Sequence, residues 1–363
     1  MTVAFDVGPL RKDPAGLGVY VRSLAQGLAA IGRSDLTYIG RRADAEGLPE
    51  GVPSIARGGI PYPLWVELQG DRSARSAGAA IAHFTDGLVP LVRTRPTAVT
   101  VLDLSLVRQW RSHRVVRYAR IPFILAAPRL ANRVIAISRA TADEVVKLTN
   151  TSARRIDVVP LAARASARPV AEPELQAGLR EFGLARGGYI LVPGTIEPRK
   201  NHLRIVSAFE QLAREGSVAR DMELVLAGGR GWKSDRALAA IDASPVRSRI
   251  KWLGYVTEQQ MAVLMTGSAA VVYASTYEGF GMPVLEAMAC GSVVVTSNVS
   301  SMPEVAGDAG VLIDPLDVAE IAGGIHTALA ADPGARQRSL DRAATFTWEA
   351  TAARTAAVYD ALG

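Results

Sequence analysis

Two glutamates separated by seven residues lie in a stretch that could bind a ligand carrying both phosphates and hydroxyls. Glu278 precedes a turn formed by Gly279, Phe280 and Gly281, and Glu286 falls in the helix predicted to follow. Glycine lets a backbone approach a ligand, and free N–H groups at a helix start attract anions. Phosphate repels carboxylates, so each glutamate must face hydroxyls, such as those of a sugar or ribose, or N–H donors or a basic partner. An ordinary helix start with acidic first-turn residues is the alternative.

The basic pair Arg199–Lys200 is the second candidate for chemistry, and it follows a predicted strand and a turn at Gly194. Arginine offers a planar fork for phosphate oxygens, and lysine offers a mobile point charge. Together the two cations could offset the negative charge that grows on a departing diphosphate. The alternative is a solvated pair before a helix. In either case we expect the Lys200 side chain to lie at a loop–helix junction, outside any core.

Further polar residues and glycines follow predicted strands, where open parallel sheets bind ligands. His83 and Asp86 follow one apolar run, and Asp103 follows the next. A histidine there could orient a hydroxyl or polarise a carbonyl, or it could be a packed, hydrogen-bonded core residue. Gly16 and Gly18 form a Gly-x-Gly turn before a predicted helix, which is also compatible with a plain loop.

Apolar runs alternate with helical stretches along the whole chain, which predicts two α/β halves built on parallel sheets. The length of 363 residues also fits two domains. We expect domains at 1–165 and 188–345, a linker at 166–187, and a C-terminal helix at 346–363 capped by Thr347. The predicted strands are Val3–Phe5, Thr37–Ile39, Ala80–Phe84, Ala98–Leu102, Arg133–Ile137, Ile156–Pro160, Tyr189–Pro193, Glu223–Ala227, Ile250–Leu253, Ala270–Tyr273, Val293–Thr296 and Val311–Ile313.

Composition narrows the function classes. The one cysteine, Cys290, excludes an intramolecular disulfide and is expected to pack in a core. The N-terminus lacks a signal sequence and no apolar run is long enough to span a bilayer, so we expect a cytoplasmic protein. The sequence has neither an Asp-x-Asp pair at a strand end nor a His/Cys cluster, so no metal is predicted.

The formal net charge is +6, and arginines concentrate in the segment from Arg108 to Arg133. This segment could lie on anionic lipid headgroups, which would make the protein peripheral on the inner face of a membrane. It could equally be a solvated helix face. A nucleic-acid site is disfavoured, because no aromatic-interleaved motif accompanies the charge.

The spacing Glu278-x7-Glu286, with Gly279, Gly281 and Pro283, resembles the E-x7-E signature of the retaining glycosyltransferases of family 4. The resemblance extends over nearly the whole chain. It implies the GT-B fold, in which two Rossmann-like, doubly wound parallel-sheet domains face a central cleft. It also implies that the last helix crosses back to the first domain.

The resemblance further implies residue roles. Glu278 would lie near the donor sugar and diphosphate, and Glu286 would hydrogen-bond the ribose. Catalytic roles fall to His83, Arg199, Lys200 and Glu278, and acceptor contacts to Asp86 and Asp103. The remaining donor-binding positions implied are Gly16, Gly18, Gly194, Gly228, Tyr255, Val256, Gly279, Phe280 and Gly281. The sequence departs from the family pattern at Ala15, Leu102 and Ala162, which replace usual contact residues.

The expected function is therefore transfer of a hexose, with retention and without a metal or other cofactor, from a nucleotide-diphospho-sugar to a glycan or lipid-linked acceptor. The segment Gly194–Asn201 looks most like that of bacterial polysaccharide mannosyl- and rhamnosyltransferases, which favours GDP-mannose as the donor. Two alternatives remain open. One is a sugar-nucleotide 2-epimerase of the same fold, and the other is a catalytically silent module that binds a sugar nucleotide or a lipid surface.

Overall fold

The computed structural model describes residues 1–10, 16–41, 47–109 and 115–363, which form two compact units. Unit 1 contains the described residues up to 162 together with 346–363. Unit 2 contains 163–345. Residues 166–187, expected to be a linker, thus belong to unit 2. There the helix Glu172–Glu181 buries Leu175 and Leu179, which are spaced four apart on one face.

The described part of unit 1 contains a seven-stranded parallel sheet with strand order β3-β2-β1-β4-β5-β6-β7. Its strands are β1 (Val3–Asp6), β2 (Leu36–Gly40), β3 (Ser54–Ala56), β4 (Ile81–Phe84), β5 (Thr97–Val101), β6 (Arg133–Ala136) and β7 (Ile156–Val158). The helices of this unit are α1 (Gly16–Ala30), α2 (Tyr62–Trp65), α3 (Asp71–Ser76), α4 (Ser105–Arg108), α5 (Ile121–Leu130) and α6 (Arg139–Thr149). The last helix of the chain, at 348–360, also belongs to this unit.

Unit 2 contains a six-stranded parallel sheet with strand order β10-β9-β8-β11-β12-β13. Its strands are β8 (Tyr189–Pro193), β9 (Glu223–Ala227), β10 (Ile250–Gly254), β11 (Ala270–Tyr273), β12 (Val294–Ser297) and β13 (Gly310–Ile313). Its helices are α7 (Glu172–Glu181), α8 (His202–Glu215), α9 (Asp235–Asp242), α10 (Glu258–Gly267), α11 (Met282–Ala289), α12 (Met302–Ala306), α13 (Val318–Leu329) and α14 (Ala335–Ala344).

The central strands are buried along their whole length because helices cover both faces of each sheet, as their continuous apolar runs require. In unit 2, Phe209 of α8 and Ile325 of α13 pack on the sheet core with no exposed surface. All the predicted strands are confirmed, with small differences at their ends. The strand that the prediction missed, β3, lies at the sheet edge. Its residues are exposed or half-buried, so it carries no apolar run.

The last helix, α15 (Trp348–Asp360), packs against α1 in unit 1, which confirms the expected return of the chain to its first domain. Thr347 caps it as predicted, because the Thr347 hydroxyl accepts a hydrogen bond of 3.1 Å from the Ala350 N–H. The two helices approach closely at Gly27. A Cβ there would lie 2.9 Å from the Trp348 carbonyl oxygen and 3.2 Å from the Ala352 methyl.

We expect Gly27→Leu to lower the free energy of unfolding by about 1–3 kcal/mol, because the new side chain must push α15 away from α1. Urea denaturation followed by far-UV circular dichroism measures this loss. Gly323→Leu is the matched control. Gly323 is a helical, exposed glycine on α13 whose Cβ would meet nothing within 4 Å, so leucine should leave stability equal or raised. Equal midpoints for the two variants would contradict the close approach.

Candidate functional site

Three loops at the carboxyl ends of unit 2 strands are tied together by backbone hydrogen bonds. The Gly194 N–H donates to the Ala227 carbonyl and the Gly228 N–H donates to the Gly254 carbonyl, both at 2.8 Å. Gly194 has a φ of +111°, and a Cβ on Gly228 would collide with the Gly194 carbonyl. Both positions therefore require glycine, and the loops after β8, β9 and β10 form one connected surface at the sheet edge where α/β proteins bind ligands.

The turn after β8 directs the basic pair towards β11. Asn201 adopts the left-handed conformation with φ 62°, and its side-chain amide donates to the Ala274 carbonyl at 3.1 Å. Asparagine tolerates this conformation better than most residues. The Thr276 N–H also donates to the Arg199 carbonyl at 2.9 Å. These bonds lock the Arg199–Lys200 turn onto the loop that follows β11.

Arg199, Lys200 and Glu278 form a buried ion cluster. Lys200 Nζ lies 2.7 Å from Glu278 Oε1, and Arg199 Nη1 lies 2.7 Å from Glu278 Oε2. The exposed fractions of the three side chains are 19% for Arg199, 10% for Lys200 and 11% for Glu278. The structure thus contradicts the alternative of a solvated pair, and it also corrects the expectation that the Lys200 side chain lies outside any core.

Neutral donors complete the coordination of Glu278. The Tyr273 hydroxyl donates to Oε1 at 2.8 Å and the Ser275 hydroxyl at 2.7 Å, while Lys200 also donates to the Tyr273 oxygen. The Glu278 N–H donates to the Ser300 hydroxyl at 3.2 Å. The sequence analysis assigned no role to Tyr273 or Ser275. The sequence signal that could have revealed them is a tyrosine at the end of an apolar strand, followed two residues later by a serine.

These contacts determine the charge of Glu278. Burial by itself raises the pKa of this carboxyl, but Lys200 and Arg199 outweigh burial and bring the pKa to about 2. Burial also lowers the pKa of Lys200, against the attraction of Glu278. Glu278 is therefore ionised at any physiological pH. A second carboxylate, Glu197, lies 2.8 Å from Arg199, so the two cations face two anions.

Glu286 lies in a different environment, on α11. Its residue is 6% exposed, and the nearest cation is Arg164, whose Nε lies 3.2 Å from Oε1. Among the described residues, neither of these two atoms has a hydrogen-bond partner, so the contact is an ion pair without hydrogen-bond alignment. Burial raises the pKa of Glu286 to about 7, while Arg164 lowers it and Glu258 raises it. This carboxyl changes its charge near neutral pH.

Some of the other expected donor residues of unit 2 follow Glu278 in sequence, and others lie after β10. Gly281 has a φ of +99° and starts α11, and Phe280 is buried beside it. Tyr255 is 82% exposed, while the neighbouring Val256 is buried. The ring of Tyr255 is therefore an exposed aromatic surface after β10. Gly279 lies between Glu278 and Phe280 in the same turn.

His83 is placed in the core of unit 1. It has no exposed surface, Nδ1 lies 2.7 Å from the Tyr359 hydroxyl, and Nε2 lies 2.7 Å from the Thr100 hydroxyl. Burial lowers its pKa to about 3, so the ring is neutral. Because both ring nitrogens are occupied inside unit 1, the structure corrects the expected catalytic role and favours the packed, hydrogen-bonded alternative.

Three carboxylates of unit 1 lie at the carboxyl ends of β1, β4 and β5. Asp86 is paired with Arg120 at 2.8 Å, and Asp103 accepts hydrogen bonds from Ser105. Sequence reasoning missed Asp6, the last residue of β1, whose Oδ2 accepts a hydrogen bond from Tyr62. Burial raises the pKa of Asp6 to about 7. A carboxylate at the end of an apolar strand was the sequence signal that could have identified Asp6.

Gly16 and Gly18 lie in the first turn of α1, as expected. The neighbouring position Ala15, where the sequence departs from the family pattern, lies outside the described residues. Of the other two departures, Leu102 is half-buried after β5 and Ala162 is fully buried at the end of unit 1.

The arginine-rich segment is largely engaged within unit 1. Arg108 pairs with Glu144 at 3.0 Å, Arg120 with Asp86, and Arg133 with Asp157. Arg129 donates to the Thr149 carbonyl. Arg117 is exposed, and the expected membrane residues Arg111 and Arg114 lie outside the described residues. In the part of the chain that the structure describes, no helix is long and apolar enough to cross a membrane.

Residues 184–345, which lie within unit 2, match the family model of glycosyl transferases group 1. The chain contains a glycosyltransferase group 1 domain. The O-antigen chain mannosyltransferase B of Escherichia coli is 37% identical over 235 residues, a match that covers 64% of this chain and 61% of that protein. The match therefore spans less than two thirds of that relative. The expected resemblance to glycosyltransferases is confirmed.

Solved structures extend the similarity to the whole chain. Sucrose-phosphate synthase from Thermosynechococcus elongatus has a TM-score of 0.78 at 20% identity, covering 99% of this chain and 98% of that one. HepE from Anabaena, in complex with UDP and glucose, has a TM-score of 0.76 at 17% identity and full coverage of both chains. The predicted GT-B fold is confirmed, with the group 1 domain as its second half.

Glu278→Gln should lower the free energy of unfolding at pH 7 by about 3–5 kcal/mol, because it leaves the buried Lys200 without its anion and leaves Arg199 with Glu197 as its remaining carboxylate partner. The folded pKa of about 2 lies below the ordinary value of 4.5. The stabilisation is therefore fully present above pH 4.5 and is lost as the pH falls towards 2. Urea unfolding at pH 7, 4 and 3 should show the gap between wild type and variant closing on acidification.

Asp332→Asn provides the control, because the Asp332–Arg338 pair is equally short at 2.6 Å but exposed. Its removal should change the unfolding midpoint little. If the two substitutions lowered the free energy of unfolding equally at pH 7, burial would not explain the contribution of the Glu278 ion pairs to stability.

Proposed function

We propose that this protein is a retaining glycosyltransferase that moves a mannosyl residue from GDP-mannose to a glycan or lipid-linked acceptor in cell-surface polysaccharide synthesis. The group 1 domain and the similarity to an O-antigen mannosyltransferase support this reading. The observation that carries it is the buried Arg199–Lys200–Glu278 cluster at the carboxyl edge of the unit 2 sheet. Two cations held at a ligand-binding edge suit a substrate whose leaving group is a diphosphate.

In this proposal Arg199 and Lys200 stabilise the departing diphosphate without a metal. An ammonium carries three N–H donors, and Lys200 directs two of them at Tyr273 and Glu278, which leaves one for a phosphate oxygen. Glu278 has its two oxygens engaged by four donors. Its proposed role is to hold the cations in place next to the donor sugar, and no covalent nucleophile is assigned.

Glu286 is proposed to bind the ribose. Its buried Oε1, which lacks a hydrogen-bond partner among the described residues, is suited to accept from a hydroxyl. The exposed Tyr255 would contact the base, and the turns at Gly194, Gly228 and Gly279 would bring backbone N–H groups close to the donor. Acceptor binding is assigned to unit 1, with Asp86 and Asp103 as the hydroxyl-binding residues.

A thermal-shift panel of nucleoside diphosphates and nucleotide sugars tests the donor class. A ligand present at about 100 times its dissociation constant should add roughly 2.7 kcal/mol of stability. GDP-mannose should shift the transition more than UDP-glucose, UDP-galactose or ADP-glucose. HepE was solved with UDP and glucose, so a larger shift with a UDP-sugar would replace GDP-mannose by that donor. A flat panel would contradict the proposed function.

Product analysis separates the proposal from its two rivals. Incubation with the donor by itself, followed by NMR, reveals an epimer if the protein is a sugar-nucleotide 2-epimerase. Transfer that appears only with an oligosaccharide or lipid-linked acceptor supports the glycosyltransferase. Binding without either product identifies a silent module. The anomeric configuration of the new linkage tests retention.

Arg199→Ala should lower kcat at saturating donor on the order of 100- to 1,000-fold, or about 2.7–4 kcal/mol, the loss typical of one preorganised donor at a developing charge. Arg214→Ala is the control, because this exposed arginine lies at the far end of α8. Circular dichroism checks the fold, and Arg199→Lys keeps the charge if alanine destabilises the cluster. A rise in KM at unchanged kcat would show a binding clamp that takes no part in leaving-group stabilisation.

Peripheral membrane association is proposed for the segment around Arg117, where Phe123 is also 40% exposed. Arg117→Glu should weaken binding to anionic vesicles by about 2 kcal/mol, since each basic residue near such a surface contributes about 1 kcal/mol. Sedimentation at low and high salt measures this, with Arg214→Glu as the control. Equal sedimentation with neutral and anionic vesicles would leave this segment as a solvated face.

A further inference from the structure

The buried Glu286 carboxylate needs a partner that compensates its negative charge, and the proposed ribose contact does not provide one. The carboxylate is buried, and an ionised buried carboxylate is stable only when a positive charge or hydrogen-bond donors compensate it. To hold two hydroxyls strongly, it must nevertheless be charged, because hydrogen bonds to a charged group are roughly twice as strong as those to a neutral one. Some residue must therefore supply the compensation without occupying the carboxylate.

Arg164 meets both conditions. Its Nε lies 3.2 Å from Glu286 Oε1, close enough for strong attraction, yet the two atoms do not form an aligned hydrogen bond. Arg164 is itself held from the other side, since its Nη1 lies 3.6 Å from Glu258 Oε1. Glu258 in turn accepts a hydrogen bond of 3.0 Å from Ser166. The guanidinium is thus fixed between two carboxylates, one buried and one at the surface.

On α14, which packs against α11, the charged side chains have partners elsewhere, and Arg338 pairs with Asp332 while Asp341 accepts from Gln337. Arg336 on α14 donates to the carbonyls of Thr266, Ser268 and Gly291. Arg342 on α14 donates to the carbonyls of Glu304 and Val305. On α11 itself, burial raises the pKa of the Cys290 thiol to about 12, so this group stays neutral. Within the described residues, Arg164 and Glu258 are the charged groups that act on Glu286.

We propose that Arg164 is a positioning residue of the donor site, which keeps the Glu286 carboxylate charged and oriented for a ribose diol without itself binding the ribose. This inference rests on the proposed function, because it assumes that Glu286 binds the nucleoside. It adds a residue outside the matched domain 184–345, at the start of unit 2. It also makes donor affinity depend on pH around neutrality.

The test is calorimetric titration of the full chain with GDP from pH 5.5 to 9, using wild type, Arg164→Ala, Arg164→Lys and Arg168→Ala. Arg168 is an exposed arginine four residues away. Its contact with Cys290 is made by the backbone, so removal of the side chain matches the loss of charge and leaves that contact in place. Affinities are compared as ratios to wild type at each pH, which cancels the titration of the nucleotide's own phosphate near pH 6. Circular dichroism at each pH checks the fold.

The ratio of wild-type to Glu286→Gln affinity should fall roughly tenfold as Glu286 becomes protonated below about pH 7, in line with the loss of charged hydrogen bonds, since the phosphate titration is common to both proteins. In Arg164→Ala the fall should begin at higher pH, so that the variant is roughly tenfold weaker near pH 7 and approaches wild type near pH 9. Arg164→Lys should keep the wild-type midpoint, and Arg168→Ala should overlay wild type. A structural role would instead weaken binding by one factor at every pH, which overturns the inference.

Glu286→Gln separates a failure of this inference from a failure of the proposed function. If the variant binds GDP as well as wild type at pH 8, or wild type binds no nucleotide, the ribose assignment is wrong and the role of Arg164 falls with it. If Glu286→Gln loses affinity while Arg164→Ala keeps the wild-type pH midpoint, only the role of Arg164 is wrong. Arg164→Gln, which removes the charge with less loss of side-chain volume, makes the same decision if Arg164→Ala does not fold.

Discussion

The ionised, buried Glu278 is the constraint on which the site in unit 2 depends. A charge removed from water is tolerated only with partners, and Glu278 takes them from the turn after β8, from β11 and from the loop beyond it. Ser300, after β12, adds a contact to its backbone. These contacts add to the hydrogen bonds that already join the turn after β8 to the loop after β11. The ion cluster therefore contributes to the geometry of the sheet edge as well as to its charge.

The two glutamates of one short segment have opposite electrostatic environments. Two cations and two hydroxyls hold the pKa of Glu278 at about 2. Burial raises the pKa of Glu286 to about 7, and the single unaligned Arg164 offsets this only in part. Environments that separate the pKa values of neighbouring carboxyls usually separate their roles. Here one carboxylate is a permanent structural anion, and the other has the unfilled hydrogen-bonding capacity that a ligand requires.

Unit 1 places its polar residues differently. His83, Thr100, Tyr20 and Tyr359 form a hydrogen-bonded network with no exposed histidine surface, and Tyr359 comes from α15. The C-terminal helix is thus joined to the sheet by polar contacts as well as by its close approach at Gly27. Such a network is stable because every ring nitrogen and hydroxyl has a partner. The histidine contributes to docking of this helix.

The sequence by itself determined the two parallel sheets and the strand-end turns, because continuous apolar runs and glycines at sharp turns are local signals. It also placed Arg199, Lys200, Glu278 and Glu286 at one sheet edge. It did not reveal β3, which has no apolar run, or the burial of Lys200. The surroundings of His83 and Arg164 were decided by tertiary structure. Whether a polar side chain faces solvent, a hydroxyl or an ion depends on residues that are distant in sequence. His83 contacts Tyr359 and Arg164 contacts Glu286. The distance between the two members of each pair is set only when the sheets and helices have packed.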